Sequence, residues 1–194
     1  MGRFIVIYSS NNLGKSKQIE LLEAVWQSMD RPYTKLKFPI YESETGELIN
    51  RALRGVGEEK LVISEAELQV LYAENRRQFE PELLRLLEEG DVIAEDYVGT
   101  GLAWGLTRGV PREYLDEINA GLLEPDITIL LDGDRFTSGI ERQHRNESAG
   151  QEVWETNRRI HQELGSELGW EVVNANQSPE KIHERIMEII EANC

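Results

Sequence analysis

An α/β fold built on a five-stranded parallel sheet follows from three features of the sequence. Short apolar segments alternate with segments of helical spacing along the whole 194-residue chain. One of them, Ile127-Thr128-Ile129-Leu130-Leu131, is a continuous run, the pattern of a central strand buried on both faces. Strand and helix take turns in order, so each helix can cross over the growing sheet and cover one of its faces.

The elements follow in sequence. Arg3 to Tyr8 is short, β-branched and aromatic, and reads as the first strand. Ser9 to Gly14 is a polar turn. From Ser16 to Met29 the apolar positions Ile19, Leu21, Leu22, Val25 and Trp26 have helical spacing. Tyr33 to Phe38 is a second strand stopped by Pro39, and Glu44 to Leu53 a short helix. Ser64-Glu65-Ala66-Glu67 is a capping box opening a helix through Phe79; Pro81 to Glu89 continues as a helix with a new start. Gly90 ends it, and Asp91 to Glu95 is the third strand. Gly99 to Leu106 and Pro111 to Leu122 are helical, and the apolar run at 127–131 is the fourth strand. Residues 133–150 are polar and without apolar period, and read as a mobile loop or short lid. Val153 to Leu168 is a helix and Trp170 to Asn174 the fifth strand. Ser178-Pro179, a cap followed by proline at the first helical position, opens a last helix to about Glu191. No repeat, low-complexity tract or long linker divides the chain, so 1–194 reads as one domain.

Composition narrows the function. Hydrophobic residues make up 40%, enough for a buried core, and no apolar run approaches the ~20 residues of a membrane helix. The Met1–Tyr8 segment lacks the long apolar stretch of a signal peptide, and Gly2 is not followed by the Ser or Thr of a myristoylation site. The one cysteine, Cys194, excludes an internal disulfide, which points to a reducing, cytoplasmic setting. A formal net charge of −15 argues against a broad nucleic-acid surface. Phosphate could still be bound locally, by a few basic side chains and backbone N–H groups.

Such a site is written into the first turn. Ser9-Ser10-Asn11-Asn12-Leu13-Gly14-Lys15-Ser16 matches the phosphate-loop pattern G-x-x-x-x-G-K-[ST] except that Ser9 stands for the first glycine. It lies between an apolar strand and an amphipathic helix. Backbone N–H groups from Asn12 to Lys17 and the helix N-terminus would converge on the phosphates of ATP. Lys15 would bridge the outer phosphates, and the Ser16 hydroxyl would hold Mg²⁺. The plainer reading is an ordinary strand–turn–helix junction with Lys15 solvated. Ser9 costs ~1 kcal/mol if its position needs a glycine-like backbone. With this loop the fold becomes the three-layer P-loop NTPase arrangement, helices on both faces of the sheet.

Further segments resemble thymidylate kinase in order and spacing, over nearly the whole chain. Phe38-Pro39-x-Tyr41-x-Ser43-x-x-Gly46-x-x-Ile49 resembles the family's segment after strand two, which lines the nucleoside monophosphate site. Leu71-Tyr72-Ala73-x-Asn75-Arg76 resembles its Ala-x-Asn-Arg helix. The resemblance gives Tyr72 a stacking role on the base and Arg76 a contact to base and phosphate. Asp91-Val92-Ile93-Ala94-Glu95-Asp96-Tyr97, with Thr100, Ala103 and Trp104 beyond, stands where the family has a strand ending in Asp-Arg-Tyr or Asp-Arg-His. Pro125-Asp126 to Asp132 resembles its Pro-Asp strand, and Glu141-Arg142-Gln143-His144-Arg145 its arginine-bearing lid. Asn174 to Glu180, including Ala175, Asn176 and Gln177, resembles the loop beside the adenine of ATP.

The resemblance implies ATP-dependent phosphorylation of dTMP, or a related nucleoside monophosphate, by a homodimer using Mg²⁺. Lys15, Arg142 and Arg145 would neutralise transition-state charge. Ser16 and Glu95 would hold the metal. Asn11, Phe38, Tyr41, Tyr72, Arg76, Tyr97, Thr100 and Trp104 would line the acceptor site. Each has a plainer reading: Arg76 as a surface cation paired with Glu80, Tyr72 and Trp104 as core, Phe38-Pro39 as a strand end, Arg142 and Arg145 as solvated loop, and Asp132 as a cap rather than a site residue. His144, His161 and His183 have no ligand spacing and read as structural or surface. The departures from the family are Ser9, Asn11 in place of a loop acid, and above all Asp96, which puts an acid where a phosphate-binding arginine is expected. They open two alternatives: a nucleotide-binding relative with weakened or silent catalysis, and a kinase for a nucleoside or another neutral acceptor.

Overall fold

The computed structural model describes residues 1–55, 61–136, 141 and 143–193. Arg142, Cys194 and the 137–140 part of the expected lid lie outside the described residues.

Strands β1 (Phe4–Tyr8), β2 (Tyr33–Lys37), β3 (Asp91–Glu95), β4 (Ile127–Asp132) and β5 (Glu171–Asn174) form one sheet in the order β2-β3-β1-β4-β5. Every neighbouring pair is parallel. The helices are α1 (Lys15–Ser28), α2 (Glu44–Arg54), α3 (Glu65–Glu89), α4 (Val98–Thr107), α5 (Arg112–Asn119), α6 (Gln151–Leu168) and α7 (Pro179–Ala192). The two faces of β1 show why three layers form. Phe4, Val6 and Tyr8 pack on one side against Leu83 and Leu87 of α3, Leu102 and Ala103 of α4, and Ile160 and Leu164 of α6. Ile5 and Ile7 pack on the other against Ile19, Leu22 and Trp26 of α1 and Ile182, Ile186 and Ile189 of α7. A smaller cluster, Ile49, Ala52, Leu53 and Leu68, joins α2 to α3. Along β1 the period-two alternation sorts side chains between the layers, and both layers are apolar, as parallel sheets require.

The capping signals act as the sequence predicts. Ser64 and Glu67 form the reciprocal capping box, and the Ser178 hydroxyl accepts from the Lys181 N–H with Pro179 at the start of α7. Two boundaries differ by more than a residue or two. The expected break at Pro81 is absent, and α3 runs unbroken through it. Proline forfeits one backbone donor at a cost of ~3 kcal/mol, while the turns beyond it bury Leu83 and Leu87 in the core. The helix expected to reach Leu122 stops at Asn119, whose side chain turns back to the Leu115 carbonyl at 2.8 Å. Among the described residues of 133–150 there is no helix or strand. Backbone hydrogen bonds from Phe136 to Asn12 (3.0 Å) and from Arg145 to Leu53 (2.9 Å) tie that segment to the rest.

On α6, His161 is 1% exposed, with Nδ1 2.9 Å from the Asn157 carbonyl. Burial holds its pKa down to about 4 from the ordinary 6.5. The unfolded chain takes up this proton near pH 6.5 and the folded chain only near 4. The folded state therefore has its full stability above the upper value and loses it as pH falls through the window. Urea unfolding should show a drop of about 3 kcal/mol from this group across the window, and His161→Leu should flatten that part of the profile. An unaltered slope in the variant would remove His161 as its source.

Candidate active site

Parallel pairing of β1 with β3 sets Ile7 opposite Glu95, so the turn leaving β1 runs beside the C-terminal end of β3. Such strand ends are where open α/β sheets bind ligands. The turn closes with Gly14 in the left-handed region (φ +87°) as N-cap of α1, and no acidic residue occupies the first turn of that helix. The first N–H groups of α1 thus face the turn with the positive end of the helix dipole behind them. Asn12 is also left-handed (φ +63°), whereas Ser9 is not, so the expected backbone penalty for replacing the first glycine does not arise.

Lys15 folds back under the turn and is 7% exposed. Its Nζ lies 3.3 Å from the Ser9 carbonyl, 3.1 Å from Ser9 Oγ and 3.2 Å from Asp96 Oδ1. Ser16 Oγ donates to Glu95 Oε2 at 2.9 Å, and Glu95 Oε1 pairs with Lys37 Nζ at 2.9 Å. The Trp154 indole N–H donates to the Asn11 carbonyl at 2.9 Å, fixing the turn from the α6 side.

A cavity of about 360 Å³ opens beyond this turn. Asn11 to Ser16 form one wall, Phe38, Pro39 and Tyr41 another. Helix α3 contributes Tyr72, Asn75 and Arg76, and the β3–α4 corner contributes Glu95, Asp96, Tyr97, Thr100 and Trp104. The structure thus brings together thirteen sequence-selected residues and Arg76, from four stretches of chain. It does not bring in the others. Lys17 faces Glu20 at the surface (3.4 Å). Ala175, Asn176 and Gln177 lie outside the cavity lining, on the loop after β5, where Asn176 Oδ1 accepts from the Asp134 N–H at 2.7 Å. Arg145 also lies outside the lining and pairs with Glu65 at 2.9 Å. Asp132 is held by Arg158 (2.6 Å) on α6.

Arg76 is the unusual member. It is 4% exposed, and among the described residues no carboxylate lies within ion-pair distance. Its Nη1 donates to Asn119 Oδ1 at 2.8 Å, and its buried Nε has no partner. The rings of Tyr72 and Tyr97 each lie 5.9 Å from the guanidinium carbon. Burial pushes its pKa down, and pushes the Tyr97 hydroxyl up to about 12. Gly101 makes room for this group, since a Cβ there would stand 2.5 Å from Arg76 Nη2. A buried cation costs free energy unless an anion accompanies it, and among the described residues this one has none. The surface pairing with Glu80 considered from sequence is not formed; Glu80 instead accepts from the Leu123 N–H at 3.1 Å.

Asn75 fixes the opposite wall. Its Oδ1 accepts from the Ile40 N–H (2.8 Å), and its Nδ2 donates to the Ile40 carbonyl (2.9 Å), Ser43 Oγ (2.8 Å) and Thr45 Oγ1 (3.1 Å). Phe38 is core as well as wall, packing edge-on against Phe79 and Tyr97.

The cavity also contains residues that sequence reasoning missed. Arg54 holds Glu141 through two bonds (2.7 and 3.1 Å) and donates to the Tyr41 hydroxyl at 2.9 Å. His144 is buried, its pKa pushed down by that burial, and accepts the Asn146 N–H at Nδ1 (3.2 Å). Phe136 stands over Gly14. No sequence signal marks these, because each gains its place from a contact distant along the chain. Among the described residues no cluster of three or more His, Cys, Asp or Glu could cage a metal. Beside the turn the Ser16 hydroxyl and the Glu95 carboxylate lie together, donors of the kind a cation such as Mg²⁺ takes while keeping waters and phosphate ligands.

A family model described as thymidylate kinase matches residues 11–186. The thymidylate kinase of Dictyostelium discoideum is 25% identical over 198 residues, covering 98% of this chain and 86% of its own. That of Schizosaccharomyces pombe is 26% identical over 197 residues, covering 97% and 91%. The solved structure of thymidylate kinase from Candida albicans superimposes with a TM-score of 0.81 at 23% identity, over 99% of this chain and 92% of that one, which establishes the shared fold.

Asn75→Ala should release the 38–45 wall and leave the Ile40 N–H unpaired, lowering the unfolding free energy by about 1–3 kcal/mol in urea titration. A loss under about 0.5 kcal/mol would mean that the wall holds itself.

Proposed function

The chain belongs to the thymidylate kinase family, and from that premise we propose that it transfers the γ-phosphoryl group of ATP to dTMP, or a closely related nucleoside monophosphate, yielding the diphosphate. The observation that carries an anionic acceptor is Arg76, a buried guanidinium on the cavity wall without a carboxylate partner.

The turn and the N-terminus of α1 would receive the triphosphate through backbone N–H groups, with Lys15 meeting its outer phosphates. Ser16 and Glu95 would hold Mg²⁺, which when bound neutralises charge on the phosphate oxygens. Across the cavity, Arg76 would meet the acceptor, Tyr72 would stack on its base, and Asn11 would contact its sugar. Phe38, Tyr41, Tyr97, Thr100 and Trp104 complete the acceptor wall and exclude water from it. Ala175, Asn176 and Gln177 would border the adenine. Residues 133–150 would act as the lid, bringing Arg142 and Arg145 toward the transferred group. Phosphoryl transfer asks for positioning and charge neutralisation rather than a strong base, which suits a cavity rich in cations. We further propose a homodimer working in the cytoplasm; no helix among the described residues is long and apolar enough to cross a membrane.

The test is a coupled ADP-release assay with ATP, Mg²⁺ and a panel of nucleoside monophosphates and nucleosides. Turnover should be highest with dTMP and should fall at least ~100-fold in Lys15→Ala. Gly101→Ala, which crowds the Arg76 guanidinium, should raise KM for the monophosphate ~10-fold and leave KM for ATP within ~2-fold. ATP binding without turnover on any acceptor would overturn the proposal in favour of a silent nucleotide-binding relative. Turnover confined to nucleosides would overturn it in favour of a neutral acceptor.

A further inference from the structure

Two of the departures from the family pattern meet at a single atom. Ser9, in place of the first loop glycine, and Asp96, in place of an arginine, both contact Lys15 Nζ. An ammonium has three donors, and here they face three acceptors: the Ser9 carbonyl at 3.3 Å, Ser9 Oγ at 3.1 Å and Asp96 Oδ1 at 3.2 Å. Ser9 Oγ is itself aimed by donating to the Ser10 carbonyl at 2.6 Å. Asp96 is held in place by the Thr100 hydroxyl (2.6 Å) and by a left-handed backbone (φ +64°). The Lys15 charge is therefore already answered by a carboxylate inside the loop that is to receive a triphosphate. On the neighbouring position Glu95 adds a second carboxylate, answered by Lys37.

We propose that Asp96 is a specificity-determining residue of the donor site, which makes the loop select cation-bound nucleotide over metal-free nucleotide. A bare triphosphate approaching Lys15 meets an ammonium whose attraction is offset by the repulsion of Asp96, 3.2 Å from it. A nucleotide that brings a divalent cation has shed much of its charge, and the same repulsion costs it far less. Selection thus comes from the placing of one charge and needs no contact between Asp96 and the metal. The inference rests on reading the Ser9–Ser16 turn as a triphosphate site.

The experiment is calorimetric titration of ATP into the unaltered protein, Asp96→Asn and Ser9→Gly, each in Mg²⁺ and in EDTA, with folding verified by circular dichroism. Asparagine tolerates the left-handed region well, so Asp96→Asn removes charge without forcing the backbone. Asp96→Asn should tighten metal-free ATP roughly tenfold and cation-bound ATP by under about threefold. Ser9→Gly, which removes a neutral acceptor, should shift both affinities by a common factor and keep their ratio. Equal shifts in both buffers for Asp96→Asn, or no shift, overturn the inference. So does a loss confined to the Mg²⁺ arm, which would assign Asp96 to the metal, and so does a collapse of the ratio in Ser9→Gly. Absence of ATP binding by the unaltered protein in both buffers overturns the triphosphate reading itself and the inference with it.

Discussion

The pairing of β1 with β3 is the constraint from which the rest of the site descends. With Ile7 opposite Glu95, the two chains leave the sheet side by side. The turn after β1 then meets the corner after β3 at hydrogen-bond distance, as the Ser16–Glu95 bond and the Lys15–Asp96 pair show. A parallel ladder fixes that register only because β1 is buried on both faces, with side chains sorted between two helical layers. A slip of one residue would carry the whole strand's side chains to the wrong layers. The position of each charged group in the loop therefore depends on apolar packing some distance beneath it.

On that frame the protein solves an electrostatic problem. A chain of net charge −15 repels phosphates at long range, so attraction has to be local. Lys15, Lys37, Arg54 and Arg76 all line one cavity. Three of them are held by acids, Asp96, Glu95 and Glu141 in turn, at 3.2, 2.9 and 2.7 Å. Arg76 is the exception. Its burial is tolerated through Asn119, the faces of Tyr72 and Tyr97, and the space left by Gly101. The unbalanced charge of the cavity is thereby concentrated on the α3 wall.

How far the sequence reveals this depends on the range of the physics involved. The loop, the helix caps and the five strands are local or periodic patterns, and they stand where the sequence puts them. Glu95 and Ser16 were legible for the same reason, each lying at the end of a strand or the start of a helix. Pro81 misled because its local penalty is outweighed by Leu83 and Leu87, whose burial is settled by the sheet. Arg54 and Asn119 were invisible as site residues because their partners lie far off in sequence: Glu141 is 87 residues from Arg54, and Arg76 is 43 residues from Asn119. Nor could sequence alone tell that Arg76 is buried without a carboxylate; helical spacing offered Glu80, which bonds the Leu123 N–H instead.

Asp96 was legible as an anomaly, but its meaning was not. Read along the chain, an acid in place of an arginine removes a phosphate ligand and counts against a phosphate-binding site. In three dimensions the substitution falls on the Lys15 side of the cavity, where its carboxylate is paired, while Arg76 supplies a cation on the α3 wall. The change at position 96 therefore alters the charge of the Lys15 wall alone and leaves the α3 wall cationic. Ser9 belongs to the same adjustment, since its hydroxyl shares the ammonium that Asp96 neutralises. Two departures that look independent, 87 residues apart, form one local arrangement around Lys15, and both must be weighed together in any reading of this site.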